Sequence, residues 1–554
     1  MSTPRNFGAT HAVENQAVPL VDYNVFSSDR VLVEAVSREG GDFELERIER
    51  VGLIAGRAET QQLGAAANEN PPRLRTHDRF GNRIDEVEFH PSWHQLMKLQ
   101  IGNELHSLPW TNSEPGAHVA RAAAFACLSQ AEAGTGCPTS MTYSAIAALR
   151  SRPELAAEWE PRLCSSEYDP RSLPAAEKSG ALCGMAMTEK QGGSDVRANT
   201  TTAQPLNGGG PGAEYAITGH KWFCSAPMCD VFLVLAQTRS GVSCFLLPRW
   251  TPDGERNAFH IQRLKDKLGN RSNASSEVEF HGAWAQLVGE EGRGVATIIE
   301  MVNHTRLDCA IGAAAGFRAA TAQAIWHTSH RSAFGDRLVD KPLMQNVLAD
   351  LAIESEAGTV SAIWLARQFD EAHRGDEASL LRRRIATPVI KYWLCKRAPW
   401  HAVEALECFG GNGYVEESGM PRLYREAPLQ SIWEGSGNVQ ALDTLRAMVK
   451  SPAAVEAFFA EVDQAFGGDY RLDAFAEAAR RELADLEQIE GRARRVVERL
   501  ALALQGSLLV RFGDPAVADA FCASRLEGDW GNAFGTLPAA TDCGRIIERH
   551  APAL

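Results

Sequence analysis

The sequence predicts an α+β chain of several domains, helical at both ends with a β module between them. Three observations carry this. The 554 residues exceed what one hydrophobic core holds. The apolar pattern changes along the chain from a helical period to short β-branched runs and back. The composition, 44% apolar and 23% charged, is that of an ordinary globular protein. There is no apolar run of about eighteen residues, so no transmembrane helix and no membrane partner are expected.

Residues 1–181 form the first predicted unit. Its first dozen residues read as a loose polar tail without the apolar stretch of a secretory signal. From about residue 41 the segment reads as helical, with Ala- and Leu-rich stretches at Ala120–Ala133 and Met141–Leu149 and a break at Asn70-Pro71-Pro72. Residues 182–291 form a β unit. Tyr215–Thr218, Val231–Leu235 and Val242–Leu247 are short apolar runs, and Asn207–Gly212 is a turn between two strands. Residues 292–445 return to a helical period, and Glu354–His373 and Ala378–Leu406 suggest a bundle. Pro388 and Pro399 are expected to break or kink the latter. Residues 446–554 are a helical extension, in which Asp514-Pro515 reads as an N-cap followed by proline at the first helical position.

Net charge is −14, which argues against uniform coating of nucleic acid and leaves local basic patches as the candidates. The twelve cysteines are scattered. Cys224, Cys229 and Cys244 come nearest to a cluster, but their spacing fits no zinc site, so no metal is expected. Reduced, mostly buried thiols and a cytoplasmic location are the expectation.

Four segments carry chemistry. Met187-Thr188-Glu189-Lys190-Gln191-Gly192-Gly193-Ser194-Asp195-Val196 is a polar loop whose backbone can approach a flat ligand, although a surface turn has the same composition. In Gly219–Ser225, Trp222 can lie against a ring or be an ordinary core residue. Lys267-Leu268-Gly269-Asn270-Arg271-Ser272-Asn273-Ala274-Ser275 suits contact with phosphate or backbone, or a solvated hairpin. In Ile432-Trp433-Glu434-Gly435-Ser436-Gly437-Asn438, a glutamate between Trp and Gly can sit in an apolar pocket. Desolvation there raises its pKa and improves it as a base toward a carbon acid. No dinucleotide fingerprint and no P-loop is present.

In their order, these segments together with Arg331-x-x-Phe334-Gly335 and Gly410-Gly411-Asn412-Gly413-Tyr414 resemble the acyl-CoA dehydrogenase family over about residues 50–450. They are similar above all to its AidB-like branch, which is associated with the adaptive response to alkylation damage. The resemblance implies the acyl-CoA dehydrogenase fold: an N-terminal helical domain, a middle β-barrel or sandwich and a C-terminal four-helix bundle, here with an extra helical domain. It implies a homotetramer with FAD as cofactor and an acyl-CoA substrate. Met187, Thr188, Lys190, Gly193, Ser194, Val196, Trp222, Ser225 and Pro227 would line the flavin from one side. Ile432, Gly435, Ser436 and Asn438 would line it from the other. Arg331 and Phe334 would reach the FAD of a neighbouring subunit. Glu434 would abstract the α-proton. In the isovaleryl branch the base instead precedes an Arg on a helix, which here reads Thr305-Arg306, and threonine cannot serve. Pro342 and Glu407 stand where many members have Gln, and Ser436 where many have Thr, which bears on the adenosine-side contacts.

AidB-like proteins are also associated with double-stranded DNA through their last domain. Here Arg446–Leu554 holds 13 basic and 17 acidic residues, a net charge of −4. Arg492, Arg495 and Arg499 fall on one helical face, and with Arg446, Arg480 and Arg481 they are the candidate sequence-independent phosphate contacts. A solvated face paired with glutamates explains the same row. Two functions therefore stand side by side: an FAD-dependent oxidoreductase acting on an acyl-CoA, and a DNA-protecting or alkylant-detoxifying flavoprotein with vestigial dehydrogenase activity.

Overall fold

The computed structural model describes residues 10–553; the tail expected over the first dozen residues falls, for residues 1–9, outside them. The N-terminal unit is built from α1 (Arg30–Arg38), α2 (Leu45–Gly56), α3 (Ala58–Glu69), α4 (Pro91–Gly102), α5 (Leu108–Thr111), α6 (Ala117–Ser129), α7 (Gly136–Leu149) and α8 (Pro153–Leu163). α3 stops at Asn70, ahead of the two prolines. α6 is almost wholly buried because small side chains let its neighbours close on every face.

One departure from the helical reading lies inside this unit. β1 (Arg73–His77) and β2 (Arg83–Glu88) form an antiparallel ribbon with Arg73 opposite Glu88. Its turn is made by Asp78, whose side chain accepts from the N–H groups of Phe80 and Asn82, and by Gly81 at φ +85°. Arg249 and Arg256 of the β module donate to the Asp85 and Ile84 carbonyls and dock the ribbon.

The β module comprises β3 (Cys183–Ala186), β4 (Thr202–Pro205), β5 (Glu214–Ser225), β6 (Val231–Thr238), β7 (Gly241–Pro248), β8 (Phe259–Leu264) and β9 (Ser275–Val288). β6, β4, β5, β9 and β7 close on themselves as a barrel, with β3 paired to β6 and β8 to β9. The β4–β6 seam rests on a single parallel pair, Thr202 with Gln237. Asn207–Gly212 links β4 to β5, and four of its glycines have positive φ.

The helical period resumes in α9 (Gly294–His330), α10 (Pro342–His373) and α11 (Glu377–Glu407), followed by α12 (Met420–Gln430) and α13 (Gly437–Lys450). Neither Pro388 nor Pro399 breaks α11, which is continuous over 31 residues. Burial of Ile385–Tyr392 against α9 and α10 holds the helix where propensity alone would end it. Arg121 of α6 and Asp308 of α9 form a buried ion pair that ties the first unit to the bundle.

The extension adds α14 (Pro452–Val462), α15 (Tyr470–Ala484), α16 (Ile489–Phe512), α17 (Pro515–Phe521) and α18 (Cys543–His550). Asp514 caps α17 by accepting from Ala516 N, as its Asp-Pro pair predicts. The extension shares one continuous apolar core with the bundle. α10 turns three buried acids toward it. Asp350 accepts from Arg525, from Trp530 Nε1 at 3.3 Å and from Gly535 N at 2.9 Å. Glu354 pairs with Arg397 at 2.9 Å, and Glu356 with Arg549 at 2.9 Å.

Candidate active site

Glu434 lies in the short loop between α12 and α13, with its backbone in the left-handed region at φ 57° and Gly435 following at φ 97°. A glutamate holds such a conformation only where the surroundings over-determine it. Three consecutive carbonyls are fastened here. Lys391 of α11 donates to Trp433 O at 2.9 Å and to Gly435 O at 2.7 Å. Arg306 of α9 donates to Glu434 O at 3.0 Å, and Gln440 to the same oxygen at 2.9 Å. Thr305, which cannot be the base, donates its hydroxyl to Glu434 Oε2 at 2.7 Å. Burial raises the Glu434 carboxyl above the usual carboxylate range, while the Thr305 hydrogen bond and the charges of Lys391 and Arg306 pull it back down. Among the described residues, the N–H of Glu434 has no acceptor.

The carboxylate opens into a cavity of about 660 Å³ where the β module, the first helical unit and the bundle meet. One stripe of α9 lines it, with Val302, Thr305, Cys309, Gly312, Gly316 and Ala319 at alternating three- and four-residue steps. Past Gly312 it continues as an inner arm against α6, α11 and α12, between Gln130, Ala398, Ala402 and Ala427. A Cβ on Gly316 would meet nothing within 4 Å.

Met187, Thr188, Gly193, Ser194, Val196, Ser225, Ile432, Gly435 and Ser436 all line this cavity with Glu434. Lys190, Trp222, Pro227, Arg331, Phe334 and Asn438 do not. The Trp222 ring lies 3.6 Å beneath Lys265 Nζ and 5.7 Å from Lys190 Nζ, so cation–ring contacts occupy it. Pro227 is buried, and its carbonyl accepts from Arg249. Asn438 is exposed in the first turn of α13. Arg331 donates to Asn15 O beyond the end of α9, and Phe334 is 99% exposed.

The Met187–Val196 loop is shaped from within by Glu189. It pairs with Lys221 at 2.7 Å, both side chains at 0% exposure, and accepts from Thr200 N, Thr201 N and Gln191. Burial alone would raise the Glu189 carboxyl, but Lys221 and the hydrogen bonds outweigh it and hold it at about 2. On Lys221 burial wins, lowering it to about 8. The Lys267–Ser275 segment is no solvated hairpin. Asn270 binds Glu426 of α12 through its N–H and its amide, both at 2.8 Å, and Ser272 donates to Glu132 at 2.7 Å. A Cβ on Gly269 would stand 2.3 Å from Arg425 O, so only glycine allows this close docking.

The residues present fit a planar cofactor with hydroxyls along one side. Thr188, Ser194 and Ser436 line the cavity, and their hydroxyls make no side-chain hydrogen bond among the described residues. Gly193 packs so close to Thr188 that a Cβ would come within 2.7 Å of its hydroxyl.

Lys391, Gln440 and the Glu189–Lys221 pair were not singled out in the sequence as site residues. Lys391 had a signal: it is a lone cation in the apolar run Val389–Cys395, where burial demands a partner.

In the extension, Arg492, Arg495 and Arg499 do share a face of α16, but all three turn to Glu482 of α15, at 3.6, 3.2 and 2.9 Å. Arg480 pairs with Asp463 and Arg481 with Glu477. Arg446 is different: it is exposed, lines the cavity and has no ion pair among the described residues.

A β-barrel set against a helical bundle, with the carboxylate of a glutamate loop over the cavity between them, is the architecture of the acyl-CoA dehydrogenases, oxidoreductases that carry FAD and act on CH–CH groups. The chain belongs to that family: residues 184–283 match its middle domain and residues 292–449 its C-terminal domain. Residues 15–170 match the N-terminal domain of the adaptive response protein AidB, which sets the chain in the AidB-like branch. It is 44% identical to AidB of Escherichia coli (strain K12) over 94% of this chain and 95% of that one. The crystal structure of Caenorhabditis elegans ACDH-11 in complex with C11-CoA superposes with a TM-score of 0.83, at 28% identity over 95% of both chains. An acyl-CoA dehydrogenase of Bacillus anthracis complexed with FAD shares the fold, with a TM-score of 0.62 at 17% identity over 83% of this chain and 80% of that one. Among the described residues, no helix is long and apolar enough to cross a membrane.

Proposed function

We propose that this chain binds FAD and desaturates an acyl-CoA thioester between its α- and β-carbons, with Glu434 as the base. The observation that carries the reading is the Glu434 carboxylate, half-buried at the junction of barrel and bundle, facing the cavity and fastened on both sides. Its raised pKa gives a base better matched to a carbon acid. Its free N–H suits a thioester carbonyl whose oxygen gains charge as the α-proton leaves. The α-proton passes to the Glu434 carboxylate, the β-hydrogen departs as hydride, and a carbon–carbon double bond forms between them. Bound FAD supplies the hydride acceptor. Thr188, Ser194, Ser225 and Ser436 would hold it from the barrel and from the base loop.

The inner arm supports an extended, unbranched acyl chain. Gly316 in mid-helix costs α9 about 1 kcal/mol relative to alanine and leaves clear the floor of that arm, while Gly312 makes room for the Gln430 side chain. The C11-CoA bound by ACDH-11 is in keeping with this. The test is anaerobic. Straight-chain acyl-CoAs from butyryl to hexadecanoyl are added to the yellow protein and bleaching of the flavin is followed. Bleaching in the wild type and none in Glu434→Gln is expected; equal bleaching in both refutes the base, and none in either refutes the activity.

A homotetramer is supported by large apolar side chains left bare at one end of the bundle, with Phe334, Leu343, Trp400 and Tyr414 each more than two-thirds exposed. Sedimentation measures the assembly. Twelve cysteines without a disulfide fit a reducing cytoplasmic location.

Double-stranded DNA association, with a role in the alkylation response or in detoxifying alkylating agents, is the second reading. The unpaired Arg446 at the cavity and the likeness to Escherichia coli AidB favour it. The arginine row on α16 is held against Glu482, which counts against that row as the contact surface. A mobility shift that weakens steeply with salt in the wild type, and less steeply in Arg446→Ala, is the expected result; no shift at low salt refutes it.

A further inference from the structure

Lys391 is a buried cation that the reaction as described does not use. It is 1% exposed on α11 and forms no ion pair among the described residues. Its two hydrogen bonds go to the carbonyls on either side of Glu434, at 2.9 and 2.7 Å. The titratable groups around the Glu434 side chain come from five helices and the β module. α9 brings Arg306, Asp308 and Cys309; α7 brings Cys137; α11 brings Lys391 and Arg384; α12 brings Glu426; α13 brings Asp443 and Arg446; the β module brings Lys267. Several of the charges among them are already matched. Arg306 and Arg384 both bind Asp443, at 2.7 and 2.9 Å, and Asp308 binds Arg121. Burying an unmatched ammonium costs several kcal/mol, and Lys391 has only the base loop to offset that cost.

We propose that Lys391 is the positioning residue of the base: its ammonium clasps the Trp433 and Gly435 carbonyls, fixes Glu434 in its left-handed conformation, and sets a positive charge beside the base loop. This rests on Glu434 acting as the base. The geometry gives the two roles separable signatures. The clasp acts on where the carboxylate stands, so its loss lowers the limiting rate of flavin reduction. The charge acts on when the carboxylate is ionised. Removing a nearby cation disfavours the anion, so the acid limb of the rate profile moves to higher pH.

The experiment is anaerobic stopped-flow reduction of the holoenzyme by dodecanoyl-CoA across pH, in wild type, Lys391→Met, Lys391→Gln, Lys391→Arg and Glu434→Gln, with flavin content checked first. Lys391→Met loses both roles. Its limiting rate falls by about tenfold or more, as misplaced reacting groups do, its half-saturating concentration barely changes, and its acid limb moves up. Lys391→Gln keeps a donor without the charge, so its limb moves up with a smaller loss of rate. Lys391→Arg returns the limb toward the wild-type position. A wild-type rate and limb in Lys391→Met overturns the proposal. If that variant holds no flavin, the glutamine variant decides alone: a raised limb supports the charge role, and a wild-type limb overturns the proposal. Wild-type bleaching in Glu434→Gln means that the base assignment itself has failed, and the role of Lys391 falls with it. An inactive Glu434→Gln beside a normal Lys391→Met sinks Lys391 alone.

Discussion

Replacing Gly316 with phenylalanine closes the inner arm of the cavity while leaving the helix that lines it undisturbed. A Cβ at this position meets nothing within 4 Å, and phenylalanine has a higher helix propensity than glycine, so the variant folds and keeps its flavin. Gly316 lies eleven residues beyond Thr305 on α9, about 16 Å at 1.5 Å per residue. Butyryl-CoA ends well short of it; dodecanoyl-CoA, with its thioester at Glu434, extends far along the arm. Each methylene denied burial costs about 0.8 kcal/mol, roughly fourfold in affinity. Four methylenes turned back amount to about 3 kcal/mol, on the order of 200-fold. The assay is anaerobic flavin reduction against acyl-CoA concentration for both thioesters. Half-saturation by dodecanoyl-CoA should rise by that order while butyryl-CoA is unchanged. Equal half-saturation by dodecanoyl-CoA in variant and wild type would show that the acyl chain does not enter the arm, and the substrate reading would be lost.

Thr305→Val removes the hydroxyl that holds the Glu434 carboxyl down. Its pKa climbs further, so the acid limb of flavin reduction should move to higher pH while the plateau above the limb stays near wild type; an unmoved limb contradicts the hydrogen bond. Lys221→Met leaves Glu189 buried without its partner, a change that costs about 3–5 kcal/mol, so melting temperature and flavin retention both fall. Because Glu189 is held at about 2 against an ordinary 4.5, the ion pair stabilises the fold above 4.5 and loses that effect as pH falls toward 2. The wild-type advantage in melting temperature should shrink over that window, and a constant difference would refute the pairing. Arg492, Arg495 and Arg499 replaced together by alanine should leave any DNA mobility shift largely intact, since all three are engaged with Glu482 and Arg492 also with Asp485; loss of the shift would return them to the contact surface.

What was legible in the sequence was local. The Met187–Val196 loop and the Ile432–Asn438 turn carry their chemistry within about ten residues; each has the composition of an ordinary turn, and it is their order along the chain that marks them before any tertiary contact is known. The β module and the bundle follow from period; the barrel came only with the family resemblance. Lys391 escaped because its partners lie 42 and 44 residues further on, and a lysine on a helix ordinarily points to water. Glu189 stood inside a motif read as ligand-facing, yet it turns inward and organises the loop from below. The ribbon at residues 73–88 was masked by its many charged residues, which leave Leu74, Ile84 and Val87 as the only apolar positions of its two strands. Glu482 could not be paired with the α16 arginines by spacing, since helix-to-helix packing rather than sequence offset brings it there. α11 runs through two prolines because packing on its buried face outweighs a local penalty of about 3 kcal/mol at each.

The three acids along α10 have a consequence for how this chain can be taken apart. Asp350, Glu354 and Glu356 have 0%, 5% and 1% exposure, and each takes a counter-charge from beyond residue 520. A truncation ending at α13 would strand Asp350 and Glu356 in an oily interior, leave Glu354 with Arg397 alone, and lay bare the apolar wall they interrupt. The last hundred residues are therefore a structural lid on the dehydrogenase bundle as much as an appendage to it. Any nucleic-acid partner that grips them pulls on a helix packed directly against the one carrying Thr305 and Arg306.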